Sequence, residues 1–241
     1  MPTVLCNGKN IELVINIIPE PTTCPFCGQP AGRKTNIGGE STDTFCLNAQ
    51  CPEKVVQKIE NWIDKNRILG IGDTILRAMV KEFGMVDPAS LYELAAMPDA
   101  LQKLAALKVG NTLGESNAEK ILNNINACKE FTIEKFLGSV GIDRLGRRMV
   151  QIIREKVPGE MDTIGDWLSG KMLDGEFRER SGLPNVVETI NASLQEARPV
   201  IERLLKYVSI VSAAPVAPVT TEGPLGGKSF CLTGTMSRKR A

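Results

Sequence analysis

This sequence predicts a mainly α-helical protein, preceded by a small four-cysteine module and flanked by incomplete β segments. Three observations carry that expectation. Apolar residues recur at helical spacing from about residue 54 to 210, four cysteines fall into two close pairs within residues 24–53, and strand-like segments are confined to the two ends.

At the N-terminal end, Leu13, Ile15 and Ile17 alternate with Glu12, Val14 and Asn16 before Pro19 and Pro21. That pattern reads as a strand. Twenty-odd residues cannot bury a core of their own, so residues 1–23 are expected to be the tail of a sheet domain. Residues 24–53 hold Cys24, Cys27, Cys46 and Cys51 amid Gly, Pro, Thr and Asn, with little to fill a core. The helical region follows. Val55, Val56, Ile59, Trp62 and Ile63 form one apolar stripe, and Ile75, Leu76, Met79, Val80 and Phe83 another. Further stripes run through Ala118, Ile121, Leu122 and Ile125, then Met149, Val150, Ile152 and Ile153. The last two are Val186, Val187, Ile190 and Leu194, then Ile201, Leu204, Leu205 and Val208. Residues 212–227 are Pro-, Ala- and Gly-rich and read as a linker; residues 228–241 begin like a strand and end on a basic run.

Composition narrows the chemistry. Lys plus Arg number 29 against 28 for Asp plus Glu, which excludes a uniformly basic coat but not a local basic face. Aromatic residues are 5%, too few for a broad base-stacking platform. The 241-residue chain contains no histidine, so Ser-His-Asp and Cys-His mechanisms and His-ligated metals are ruled out. No signal-peptide pattern or transmembrane-length apolar run occurs, so a cytoplasmic location without a membrane partner is expected. In that compartment seven cysteines suggest a metal site plus free thiols, the latter being Cys6, Cys128 and Cys231.

The knuckle Cys24-Pro-Phe-Cys27-Gly and the pair Cys46–Cys51 supply four soft ligands of the kind that hold structural zinc in a tetrahedron. Gly28, Gly32, Gly38 and Gly39 suit tight turns around it. The other readings are a redox CxxC, which would call for a βαβ setting that is not visible, or two disulfides. Four thiolates leave no open coordination position, so the metal is expected to be structural.

Short Gly-bearing turns lead into apolar helices at Leu69-Gly70-Ile71-Gly72, Leu113-Gly114, Val140-Gly141 with Leu145-Gly146, and Ser181-Gly182-Leu183-Pro184. They fit a helix–hairpin–helix array of four motifs, in which the N–H groups at the second helix start bind phosphate oxygens without reading bases. The bland reading is ordinary helix-connecting turns. Arg144, Arg147 and Arg148 make the third hairpin the best phosphate grip. Lys65, Arg67, Arg77 and Lys81 flank the first, Glu115 weakens the second, and the fourth has the look of a structural turn. The candidate DNA-binding residues are therefore Gly70, Gly72, Gly114, Gly141, Gly146, Gly182, Arg144, Arg147 and Arg148.

In order, a strand ending in IIPEP, then CPFCG…FCLNAQCPEK, four hairpins, a Pro/Ala linker and GKSFCLTGT resemble the C-terminal half of bacterial-type NAD-dependent DNA ligases. The resemblance implies the end of an OB-fold at 1–23, a four-cysteine zinc finger at 24–53, a helix–hairpin–helix DNA-binding domain at 54–211, a linker at 212–227 and the start of a BRCT domain at 228–241. The family's nucleotidyl-transfer lysine lies in a Lys-x-Asp-Gly motif of an adenylation domain that has no counterpart here. The nearest string, Lys171-Met-Leu-Asp174-Gly175, has one residue too many and sits among the hairpins, so Lys171 reads as a surface residue and no catalytic residue is assigned.

The expected function is that of a DNA-binding subunit or fragment of such a ligase, clamping nicked duplex for phosphodiester formation in replication and repair. NAD and Mg²⁺ would enter only through an adenylation–OB polypeptide, as in two-subunit ligases of the kind some phages carry; an interrupted ligase gene and an accessory protein are the other origins. The alternatives in function are a stand-alone DNA-binding protein recognising duplex or nick structure, and a zinc-stabilised adaptor that binds protein only.

Overall fold

The computed structural model describes residues 3–6, 9–12, 21–36, 39–48 and 51–211. The strand expected over 13–17, the linker and the C-terminal strand all lie outside these residues.

Two short antiparallel ribbons come first. Strands β1 (Thr3–Cys6) and β2 (Lys9–Glu12) pair with Thr3 opposite Glu12. Strands β3 (Ala31–Asn36) and β4 (Gly39–Cys46) pair with Ala31 opposite Cys46, so the excursion between the cysteine pairs is a ribbon that returns the chain to its start.

Helices dominate the rest: α1 (Pro52–Asn66), α2 (Asp73–Phe83), α3 (Ala89–Ala95) and α4 (Ala100–Ala105). A two-residue ribbon of β5 (Lys108–Val109) and β6 (Asn111–Thr112) leads into α5 (Glu115–Ala127). Then come β7 (Glu130–Phe131), α6 (Ile133–Val140), α7 (Arg147–Lys156), α8 (Ile164–Leu168), α9 (Gly175–Ser181), α10 (Pro184–Leu204) and β8 (Ser209–Ile210). The two C-terminal stripes share one 21-residue helix with Pro199 inside it, the second running past its end to Leu205 and Val208. Proline there removes one backbone hydrogen bond, and the packing of Ile190, Leu194, Ile201 and Leu204, all fully buried, carries the helix through.

One core unites these helices. Trp62 of α1 lies at its centre, 5.3 Å from the ring of Phe131 and in edge contact with Tyr92 and Phe136. Its indole N–H donates to the Tyr92 hydroxyl, which donates to the Cys128 carbonyl at 2.8 Å, so no polar group of this cluster is left unsatisfied. Replacing a side chain so placed by alanine costs on the order of 3–5 kcal/mol. Trp167 anchors the C-terminal part and donates to the Met161 carbonyl.

Ion pairs close the body. Arg203 of α10 pairs with Glu93 at 2.7 Å and with the buried Asp87, while Arg154 of α7 pairs with Glu134 and Asp162. Strand β8 pairs in parallel with β7, Phe131 opposite Ile210, which brings the end of the described chain back to its middle.

Helices α6 and α7 approach unusually closely. A Cβ added at Gly138 would lie 2.7 Å from the backbone nitrogen of Arg147. Glycine is therefore what lets the start of α7 rest on α6. Gly138→Ala should lower stability by about 1–2 kcal/mol in urea unfolding, against the ~1 kcal/mol gain that helix propensity alone would give. An unchanged or raised midpoint would mean the two helices are free to separate.

Candidate nucleic-acid interface and metal centre

The ligand atoms of Cys24, Cys27, Cys46 and Cys51 all lie within 4.8 Å of one another. Cys24 and Cys51 are 3.9 Å apart and Cys27 and Cys46 3.6 Å, far beyond the ~2.05 Å of a disulfide and close to the ~3.8 Å edge of a tetrahedron of sulfurs around zinc. All four are free thiols. Local structure explains the geometry. The Gly28 N–H donates to the Cys24 carbonyl at 2.9 Å, with Gly28 in the left-handed region at φ +67°, which turns the first knuckle. The ribbon delivers Cys46 at the end of β4. Cys51 is the N-cap of α1, and its carbonyl accepts from Lys54 and Val55. The positive end of that helix thus starts at the cluster.

The thiols are held unequally. The backbone N–H of Gln29 lowers Cys27 to about 7, whereas loss of solvation pushes Cys46 up to about 12. A divalent cation would draw all four into the thiolate form. The four sulfurs are so placed that they could hold one metal ion such as zinc.

Arg77 of α2 fastens this module to the helices. Its guanidinium grips Glu53, in the first turn of α1, through two nitrogens at 2.5 and 2.8 Å, takes Asp73 at 2.8 Å and lies 6.0 Å from the centre of the Phe26 ring in the knuckle. That pairing holds the Glu53 carboxyl below the usual carboxylate range. Arg77 is thus engaged within the chain.

The predicted glycine turns fall into unlike kinds. The first and third share one geometry. Arg67 and Gly141 close their first helices in the left-handed region, Gly70 and Arg144 are left-handed again, and Gly72 and Gly146 cap the second helices in extended conformation at φ −86° and −77°. Ile68 and Ile71 in one, and Ile142 and Leu145 in the other, are buried beneath the turn. The second is a longer ribbon through Gly110, with Gly114 at φ +80° before α5. The fourth is only Gly182, at φ +62°, and Leu183.

The tips of the first and third are fixed alike. Asn124 of α5 donates to the Leu69 carbonyl at 2.9 Å, and the Asp143 N–H donates to Ser193 of α10 at 2.9 Å. Leu69 and Asp143 occupy the same place in the turn. The third hairpin is also buttressed from α1, because Lys65 donates to the Gly138 carbonyl at 2.8 Å and Asn61 to that of Ser139 at 3.1 Å. Lys65 therefore serves the C-terminal end of α6 rather than the first hairpin, next to which it stands in sequence. Asn61, Asn124 and Ser193 carried no sequence signal, since single polar residues on helix faces have no period.

The candidate cations differ in freedom. Arg144 and Arg147 have no side-chain partner among the described residues, and Arg148 donates to Gln151 at 3.4 Å and lies 3.6 Å from Glu155. By contrast Arg178 and Arg180 before the fourth turn pair with Glu188 and Glu160. Lys171 lies on the surface in a single 3-10 turn, paired with Asp166 at 3.1 Å. Among the described residues no helix is long and apolar enough to cross a membrane.

Cys24→Ser or Cys46→Ser is expected to reduce bound metal from about one equivalent to none by elemental analysis. Backbone amides in residues 24–53 should lose exchange protection at the same time. A folded, metal-free variant would show that the cluster is held without an ion.

No protein-family model matches the chain. Individual proteins do. A protein named DNA ligase from Rubrobacter xylanophilus is 30% identical over 97% of this chain and 34% of its own length. The DNA ligase of Fervidobacterium nodosum is 29% identical over 96% of the chain and 31% of its own, and that of Petrotoga mobilis 28% over 92% and 31%. The chain spans about a third of the length of the curated relatives it matches. Along nearly its whole length, the chain is a relative of proteins named DNA ligase and corresponds to about one third of each.

Proposed function

We propose that this chain is the DNA-clamping part of an NAD-dependent DNA ligase, in which a zinc-held module and a helix–hairpin–helix array grip a nicked duplex by its backbone. The observation that carries the reading concerns Gly72 and Gly146. Both have ordinary φ values, and none of the described residues lies within 4 Å of where a Cβ would stand. Neither backbone conformation nor internal packing calls for glycine there. A side chain would stand instead in the path of something approaching the first turns of α2 and α7 from outside, where N–H groups lack intrahelical acceptors. A phosphate oxygen fits that approach.

The basic surround favours the third hairpin for the tightest grip, through Arg144, Arg147 and Arg148, with the first beside it. Gly114 and Gly182 would add backbone donors with less charge behind them. The zinc is structural on this reading, since four thiolates complete its shell. NAD and Mg²⁺ belong to an adenylation–OB polypeptide that acts with this chain, and the nucleotidyl-transfer lysine lies there too. Holding the 3′-hydroxyl and the activated 5′-phosphate in register is this chain's contribution, and positioning of that kind supplies a large share of a rate enhancement.

Gly72→Ser and Gly146→Ser test the carrying observation. Serine is at least as good an N-cap as glycine, so stability should hold or rise slightly. Affinity for a nicked duplex should fall together with that of Arg147→Ala/Arg148→Ala, the latter also flattening the salt dependence by roughly two phosphate contacts. Unaltered affinity in both variants would remove these hairpins from the interface. Nick sealing with NAD and Mg²⁺ tests the wider reading. Sealing only when this chain is mixed with an adenylation–OB polypeptide is expected, whereas DNA binding that never supports sealing would leave a stand-alone binding protein.

A further inference from the structure

Among the described residues, the non-glycine residues in the left-handed region are Arg67, at φ +55°, and Arg144, at φ +56°. A β-carbon there crowds the backbone, and arginine has no local hydrogen bond of the asparagine kind to offset the crowding. Their placement is not random. The two equivalent hairpins each contain two left-handed positions, and each fills one with glycine and the other with arginine, in opposite order: Arg67 then Gly70, and Gly141 then Arg144. Glycine would satisfy the backbone at all four.

Among the described residues nothing accounts for the two arginines. Neither guanidinium has a partner among the described residues, and both side chains are exposed. Arg147, beside Arg144, is equally unpartnered among the described residues, but it lies in a helix with ordinary backbone; Arg77 pairs with Glu53, Arg154 with Glu134 and Asp162, and Arg203 with Asp87 and Glu93. The hairpins that carry the free pair are also the two whose tips are tied to a neighbouring helix, so each cation stands on a fixed base. Backbone crowding kept at matched exposed positions points to a task outside the chain.

We infer that Arg67 and Arg144 are a matched pair of phosphate anchors, one on each equivalent hairpin, with Arg67 doing for the first what Arg144 does for the third. This rests on the DNA-clamping reading and adds Arg67 to the interface. The two anchors would seize separate stretches of backbone, so the duplex is held at two points.

Arg67→Gly separates this role from a structural one, because the two move in opposite directions. Relieving the left-handed crowding should leave the melting temperature unchanged or raise it by about 2–4 °C. Affinity of the full, metal-loaded chain for a fluorescein-labelled nicked duplex should drop about three- to tenfold in 0.1 M salt, and the slope of log K against log[salt] should flatten by about 0.9. Arg67→Asn, which tolerates the same backbone without the charge, should behave alike in binding, and Arg67→Lys should restore most of the slope. Arg144→Gly should match Arg67→Gly, and the double variant should lose about twice the slope. Binding unchanged in Arg67→Gly while Arg144→Gly weakens would overturn the inference, as would a lowered melting temperature in Arg67→Gly, which would give the side chain a structural task. A wild-type chain that does not bind the duplex would instead overturn the reading beneath it.

Discussion

Helix α1 is the member on which the other parts hang, because both of its ends and its middle are committed. Its positive end receives Cys51, so the sulfur cluster is joined directly to the helical body without a linker. Its middle carries Trp62 into the centre of the core, and its last turns reach across to the carbonyls that end α6. The residue after its last turn, Arg67, goes left-handed into the first hairpin. A shift of α1 would be felt at the metal cluster, the core and both equivalent hairpins. Arg77 adds the cross-brace that holds α2 to the same end.

The helical body contains the same arrangement twice. In each half, a six-residue turn with two left-handed positions is pinned at its tip by the long helix that follows the next turn. The second turn of each half is different, a ribbon in one case and a bare two-residue link in the other. In each half that second turn leads directly into the helix that pins the first. The arginines before the fourth turn are engaged within the chain, with Glu188 and Glu160.

Much of this was legible in the sequence where a period or a fixed spacing existed. The stripes through Ile59 and Trp62, Ile121 and Ile125, and Val150 and Ile153 are buried faces, and the two cysteine pairs converge as their spacing predicts. Helices α3, α4, α8 and α9 left no trace because they run only five to seven residues, less than two turns of pattern. The β3–β4 ribbon was hidden for the opposite reason: AGRKTN and GESTDTFC lack alternating apolar residues, and it is anchored at the cysteine end. Pro199 made one helix look like two. The allegiance of single polar residues was least legible of all. Lys65 and Arg77 stand beside the first hairpin in sequence, yet one caps α6 and the other braces the cysteine module, since such bonds depend on which helices cross and not on local order.

The parallel pairing of β8 with β7, together with Arg203 reaching Asp87 and Glu93, joins residues about 80 to 116 positions apart. Tandem helical arrays ordinarily contact only their neighbours, so they fray from an end and unfold repeat by repeat. Here the last helix latches onto the first half, and the array is a loop with a clasp. Such a topology makes assembly slow for a helical chain, because the closing contacts form only after a long loop has been gathered in. It also makes the finished body cooperative: a strain applied at either equivalent hairpin is resisted by the whole ring rather than by one repeat.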